Sequence, residues 1–355
     1  MTPLAPAPLT LDEARSLRAA GEWRVLALRG AALSGEALAA EPEVAYAYAA
    51  ALRQTGETAR ALDAGSVAEA GARRRGDRRL AAEAVNLLGN ALFEAGRLDE
   101  AEARFQELLA YAAEWRDPPF AARASNNLGI LCNVRGRRDQ ALANYQRAVA
   151  SYQALGNVLG LAQTHHNLGI TFRDLGLMDD ADAHYLRAIQ LAGTAAEDAA
   201  GVASATDAET VIALAETERA LLRARSGDGA LAEAMATRAL RRFERIGDPR
   251  GRGDALRVLA AAARAAGNDA EALRRLDAAL EVPGAGGYPL LVAEVQRDRG
   301  LLLRDLGRWT DARRALDESV ANFAGLGAAA EAEAVAAIAR GLTDEGQGGA
   351  EEQEG

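Results

Sequence analysis

Lysine is absent from this 355-residue chain, whose 41 basic side chains are all arginine. Neither the phosphate loop GxxxxGK[ST] nor an amine for Schiff-base chemistry can therefore be built, which excludes a P-loop ATPase. Cysteine is almost absent: Cys132, the single one, permits no intrachain disulfide and no Cys-rich zinc cluster and fits a reducing cytosol. No apolar run of about 18 residues occurs, and the start, MTPLAPAPLTLDEARS, lacks the basic and apolar regions of a secretory signal. These absences predict a soluble, cytoplasmic protein with no membrane partner. The net charge of −10 argues against binding the phosphate backbone, so no nucleic acid partner is expected.

Apolar residues make up 49% of the chain and aromatic ones only 5%; most of the remainder is Ala and Leu, both strong helix formers. Glycines recur at Gly56, Gly96, Gly136 and Gly176, then at Gly227, Gly267 and Gly307. Every step is 40 residues except the step from Gly176 to Gly227, which carries 11 more. This is an internal repeat. Five residues after each glycine stands an alanine (Ala61, Ala101, Ala141, Ala181, Ala232, Ala272, Ala312), and seven before it a small residue (Ala49, Gly89, Gly129, Gly169, Ala220, Ala260, Gly300). Small residues let two helix axes approach, and a glycine at a helix end adopts the left-handed conformation that closes it. The unit reads as helix, tight turn, helix. Residues four, eight and eleven before the glycine, such as Leu92, Leu88 and Val85, complete the packed stripe; His165 is the exception.

Two motifs of this pattern, NLG in the first helix (Asn127 to Gly129, Asn167 to Gly169) and ALGN or RIGD after the second, resemble tetratricopeptide repeats. The 40-residue period is similar to the longer variety found in kinesin light chains and in bacterial regulators and peptide receptors. The resemblance implies an all-α fold, a superhelical solenoid of about seven helix-turn-helix repeats with capping helices. Residues 1–41 read as an N-terminal cap, opened by a Thr10 to Glu13 capping box and turning at Gly21. Repeats one to four occupy 42–192, and 193–209 is an insertion expected to lengthen a helix, form a loop and act as a hinge. Repeats five to seven occupy 210–326, 327–342 is a closing helix, and 343–355 an acidic, glycine-rich tail expected to be disordered.

In such a stack the first helices face a concave surface. Counting back 3, 6, 10 and 13 residues from each glycine selects the helical face opposite the packed stripe. In repeats two to four this face carries Asn86, Asn90, Asn126, Asn133, His166 and Arg173, with Asn127 and Asn167 beside it. The resemblance implies that asparagines of the NLG type bond the backbone of an extended peptide, and a carboxamide both donates and accepts. The alternative is that these amides satisfy neighbouring helix ends or face water. In repeats six and seven the face carries Arg257, Arg264, Arg297 and Arg304. These are candidates for holding an acidic segment of a partner, or solvated ion pairs with Asp254, Glu294 and Asp305. The acidic tail, of the same chain or a neighbouring one, is a further candidate ligand for this arginine face, so self-association is one outcome; a solubilising tail that touches nothing is the other.

No catalytic constellation stands out. His165 and His166 point about 100° apart on one helix and are poor joint metal ligands, and His184 has no companion pattern, so neither metal nor cofactor is expected. Cys132 lies on the packed stripe and reads as a core residue. The leading expectation is a non-enzymatic scaffold or adaptor that binds an extended segment of a protein partner. The second is a regulatory sensor, similar to bacterial peptide receptors, whose superhelix changes on ligand binding.

Overall fold

The computed structural model describes residues 9–199, 202–282 and 288–351. Among these, every regular element is a helix. Three short helices lead: α1 (Leu11–Ala19), α2 (Trp23–Gly30) and α3 (Gly35–Ala40). Seven hairpins follow, one per 40-residue unit: α4 (Pro42–Gln54) with α5 (Thr58–Arg75), α6 (Arg78–Glu94) with α7 (Leu98–Trp115), α8 (Pro118–Val134) with α9 (Arg138–Ala154), α10 (Val158–Asp174) with α11 (Met178–Glu197), α12 (Val202–Arg225) with α13 (Gly229–Ile246), α14 (Pro249–Ala265) with α15 (Asp269–Leu280), and α16 (Pro289–Asp305) with α17 (Trp309–Gly325). The last helix is α18 (Ala329–Glu351). The all-α helical solenoid is as the sequence predicts.

Local chemistry sets the helix ends. Thr10 and Glu13 form the expected capping box, and Arg29 of α2 pairs with Glu13 at 3.0 Å. First helices open on a short polar cap: Asp77, Asp117, Asn157, Asp248 accept from the amides of Leu80, Phe120, Gly160 and Gly251 at 2.8–3.1 Å. All seven turn glycines have positive φ, between 72° and 85°. Twenty residues on, the turn between hairpins again uses a left-handed residue: Gly76, Gly156, Gly247 and Gly327, with Arg116 (φ 53°) in the second repeat. In the fourth repeat that position is Ala196, and α11 runs through it to Glu197.

The insertion is absorbed on both sides. α11 reaches 20 residues and α12 reaches 24, where most first helices have 17. Small, helix-permissive residues extend both helices, α11 to Glu197 and α12 from Val202. The tail also differs from expectation: α18 continues to Glu351 instead of stopping at 342. Adding residues to an existing helix costs little, so polarity alone does not end it. Residues 352–355 lie outside the described residues.

Packing within each hairpin explains the small positions. A Cβ on Gly89 would stand 2.5 Å from the ring of Phe105, and one on Gly129 2.5 Å from the ring of Tyr145. Gly169 meets Tyr185 in the same way, and Gly300 meets Leu316. The first repeat exchanges the sizes: Ala49 replaces the glycine, and Gly65 takes the place of the ring. All seven alanines five residues past the turn are fully buried.

Contacts divide the chain into two compact units. Unit 1 comprises Met1–Leu131, Asp139–Asn167 and Gln190–Glu209; unit 2 comprises Cys132–Arg138, Leu168–Ile189 and Thr210–Gly355. The insertion falls in unit 1. Among the described residues no helix is long and apolar enough to cross a membrane.

Two substitutions test this packing. Gly129→Leu should overpack against Tyr145 and lower stability by about 1–3 kcal/mol. Arg116→Gly should raise it by about 0.5–1 kcal/mol by relieving a left-handed arginine. Urea melts read both, and an unchanged midpoint for Gly129→Leu would contradict the hairpin geometry.

Candidate functional site

Adjacent first helices meet along one face through side chains 41 residues apart, one more than the repeat. Two rungs recur. The residue ten before the turn glycine bonds the residue nine before the next glycine, and the residue three before bonds the residue two before. The sequence stripe contains the first member of each pair but not the second.

In unit 1 the upper rung is an amide ladder. Asn127 donates through Nδ2 to Oδ1 of Asn86 (3.0 Å) and of Asn90 (3.2 Å), and Asn167 donates to Oδ1 of Asn126 (3.2 Å). Thr164 donates to the same Asn126 oxygen at 3.2 Å. Asn86, Asn90, Asn127 and Asn167 are half-buried and Asn126 is buried, as is His166 beside them. Among the described residues, no hydrogen bond uses Nδ2 of Asn86, Asn90 or Asn126. Near the start of the stack Arg53 pairs with Glu94 at 2.5 Å, while Glu83 takes Arg123 at 3.1 Å and the Tyr46 hydroxyl at 3.3 Å.

Unit 2 holds the other candidates. Asn133 is buried, accepts from Thr171 (3.0 Å) and donates to Asp174 (3.2 Å). Arg173 binds Asp174 at 2.8 Å and also Glu218. Burial opposes the Arg173 charge, but Glu218 and Asp174 outweigh it and hold its pKa well above the ordinary value. Tyr185, whose ring fills the space at Gly169, reaches Glu218 with its hydroxyl at 3.4 Å. Arg257 is buried and pairs with Glu294 and Asp298, both at 3.2 Å. Arg264 and Arg304 share Asp305 at 2.5 and 2.7 Å, and Arg297 takes Asp298 at 3.0 Å.

The candidate residues thus fall into two sets. Asn86, Asn90, Asn126, Asn127, His166 and Asn167 lie in unit 1, whereas Asn133, Arg173, Arg257, Arg264, Arg297 and Arg304 lie in unit 2. The arginines of repeats six and seven stand in two sets of ion pairs, Arg257 and Arg297 on Asp298 and Arg264 and Arg304 on Asp305. The asparagines are less exposed than a solvent-facing stripe would be, because each amide is shared with the neighbouring repeat. Glu218, Asp298, Asp174 and Glu94, the carboxylate partners, were outside the counted stripe; aligning the positions two and nine before each glycine would have found them.

Cys132 is buried on the packed stripe. His184 stacks on Phe172 (centroids 5.0 Å apart), and burial lowers its pKa against the pull of Asp180. His165 is half-buried. Among the described residues no cluster of His, Cys, Asp and Glu could hold a metal ion.

Residues 120–194 match the tetratricopeptide repeat family. Over this stretch the chain carries tetratricopeptide repeats. No curated protein matched the sequence. Among solved structures, this repeat protein superposes on the Rap conjugation gene regulator of plasmid pLS20 in complex with the Phr* peptide with a TM-score of 0.63 and 14% identity, covering 82% of this chain and 76% of that one. A Rap protein complexed with competence and sporulation factor gives 0.56 and 12%, covering 91% and 79%. The tetratricopeptide repeat sensor PH0952 from Pyrococcus horikoshii, a signal transduction ATPase, gives 0.50 and 16%, covering 84% and 43%. At such identities the likeness speaks for the fold.

One half-buried carboxyl makes the electrostatics of unit 2 measurable. Burial pushes Asp254 up to about 6, against Arg250 and Arg257. Its folded pKa lies above the unfolded value of about 3.9, so the folded state binds the extra proton between those values, and this group's contribution to stability falls as pH rises through that window. Asp254→Asn removes the penalty. The variant should gain on the wild type by on the order of 1–2 kcal/mol between about pH 4 and about pH 7.5. A pH-independent difference in melts would contradict the shift.

Proposed function

We propose that the chain is a non-catalytic interaction module that holds an extended peptide segment of a partner protein on the asparagine face of unit 1. The amide ladder carries this reading. Oδ1 of Asn86, Asn90 and Asn126 is engaged by the next repeat, which fixes the plane of each amide and leaves its Nδ2 for carbonyl oxygens of a ligand. Donors held in place before binding lose little freedom on binding. They address the peptide backbone, so they accept many sequences. The Rap proteins of similar fold, solved with a competence and sporulation factor and with the Phr* peptide, support the same class of partner.

A second reading, a sensor whose stack changes shape with a ligand, draws on one contact inside unit 2. Arg138, at the turn of the third repeat, pairs with Glu331 of α18 at 3.7 Å, linking parts of the chain nearly two hundred residues apart. A ligand that shifts the stack would change this pair, and small-angle scattering with and without bound peptide would record it.

Replacing asparagine by aspartate separates binding from folding, because the acceptor stays and the donors go. The double variant Asn86→Asp/Asn126→Asp keeps the oxygens that Asn127, Asn167 and Thr164 use. It should lose capture of peptides from a pooled synthetic library while circular dichroism shows it folded, with some stability given up to the charge placed at buried Asn126. Asn126→Ala, by contrast, should cost about 0.5–1.5 kcal/mol through its two lost bonds. Unchanged capture by the double aspartate variant would refute the asparagine face as the peptide site.

A further inference from the structure

The ends of a solenoid are usually closed by polar faces, and both ends of this chain keep an apolar one. α2 packs one face on α4, burying Leu26 and Ala27 and setting Gly30 against the ring of Tyr48. Its outer face is apolar as well. Leu28 is 73% exposed, the most open large apolar side chain among the described residues, and Val25, three residues earlier on the same face, is 41% exposed. A helix apolar on both faces has the pattern of a helix covered on both. Glu22 and Arg24 flank the outer face; both are exposed, and among the described residues neither side chain makes an ion pair or a hydrogen bond.

In the last repeat, the position six residues past the turn glycine accounts for a groove. Leu62 in the first repeat and Leu273 in the sixth pack against the core of the repeat that follows, which holds Ala101 and Phe105 of α7 in one case and Ala312 and Leu316 of α17 in the other. In the seventh repeat the residue is Arg313. α18 follows as a first helix, and among the described residues no second helix comes after it. The flank of α17 that a further repeat would cover is an open groove of about 700 Å³, lined by Trp309, Arg314, Asp317 and Ala321 with Leu342 of α18. Trp309 is 38% exposed. Arg313 lies along the groove, held by Asp317 at 3.0 Å and by the carbonyl of Ala339 at 3.1 Å.

The two surfaces suit each other. One is a helix face from which two aliphatic side chains stand out, and the other is a groove lined by an indole and a leucine. Glu22 and Arg24 on the first match exposed Arg314 and Asp317 on the second in sign. Leu28 belongs to unit 1 and the groove to unit 2. We propose that the outer face of α2 in one molecule seats in the α17–α18 groove of a second copy of this chain. Such a contact is heterologous: each molecule offers one surface of each kind, so copies join head to tail and the assembly grows unless its rotation closes it into a ring. α2 has eight residues, which places the interface at the small end of the range for protein pairs and makes the association reversible. The asparagine face takes no part, so the proposal stands apart from the peptide reading.

Sedimentation velocity of the full chain over a micromolar concentration series tests it. The wild type should sediment faster as concentration rises, passing from monomer to dimer and beyond. Leu28→Glu spoils the outer face of α2, and Ala321→Arg fills the groove; both residues are exposed, so circular dichroism melts should stay close to the wild type. Either variant alone should weaken association by about tenfold or more. Mixed in equal amounts, the two should recover a dimer and nothing larger, because the first retains its groove and the second its α2. Asn86→Asp/Asn126→Asp should associate as the wild type does. If Ala321→Arg fails to fold, Arg314→Glu, which sets like charge against Glu22, takes its place. A wild type that stays monomeric throughout overturns the proposal, as do undiminished association of Leu28→Glu and a mixture that stays monomeric. Association lost in Leu28→Glu but kept in Ala321→Arg would mean that two α2 faces meet each other, and overturns the groove as the seat.

Discussion

The close approach of the two helices in each hairpin is the constraint on which the rest depends. Gly89, Gly129 and Gly169 lie under the rings of Phe105, Tyr145 and Tyr185, and no room exists for a side chain there. Where the first helix carries alanine, the second carries a smaller partner or leucine, as with Ala49 and Gly65 or Ala260 and Leu276. Where the pair is as small as Ala49 and Gly65, a neighbouring side chain fills the space: a Cβ on Gly65 would stand 2.9 Å from Leu88. Because the second helix is pinned this way, the opposite face of the first helix is free of its own hairpin and can be spent on neighbouring repeats.

That opposite face serves two purposes at once. The amides of unit 1 and the arginine–carboxylate pairs of unit 2 join consecutive first helices, so polar residues contribute to the stacking of repeats whose apolar contacts are mostly within and between hairpins. Net contributions of such bonds are modest, but an amide that loses its partner while half-buried is penalised. The same geometry orders the groups that face outward. Tyr185 illustrates the link: its ring completes a hairpin and its hydroxyl touches Glu218, the acid that fixes Arg173.

Much of this was legible in the sequence. The turn glycines, the buried alanines and the small residue seven before each turn follow from aligning the chain on itself, since a helical hairpin fixes them in every repeat. The asparagine and arginine stripes were legible as positions, though not as partnerships. Adjacent first helices are offset by one residue relative to the 40-residue period, and that offset comes from how repeats stack, which a single-repeat helical wheel does not contain. Hence Asn127 and Asn167 stood beside the stripe instead of forming its rungs, and Glu218 and Asp298 were missed. The lengthened helix at the insertion follows from Ala196, which stands where other repeats carry a left-handed residue and lets α11 continue to Glu197. The helical extension of α18 through 343–351 was hidden by its glycine-rich, acidic composition.

The rungs also act as labels on the repeats. The rungs vary along the stack: arginine with glutamate, asparagine with aspartate, asparagine with asparagine, arginine with aspartate. A copy of one repeat placed elsewhere in the chain would preserve the turns, the alanines and the helix lengths, and still set an amide against an alanine or a guanidinium against a valine. Growth of this chain by duplicating a unit is therefore not neutral: every new copy must change two side chains at each of its borders before it stacks as well as its parent, and the order of the repeats is written into the chain independently of the fold they share.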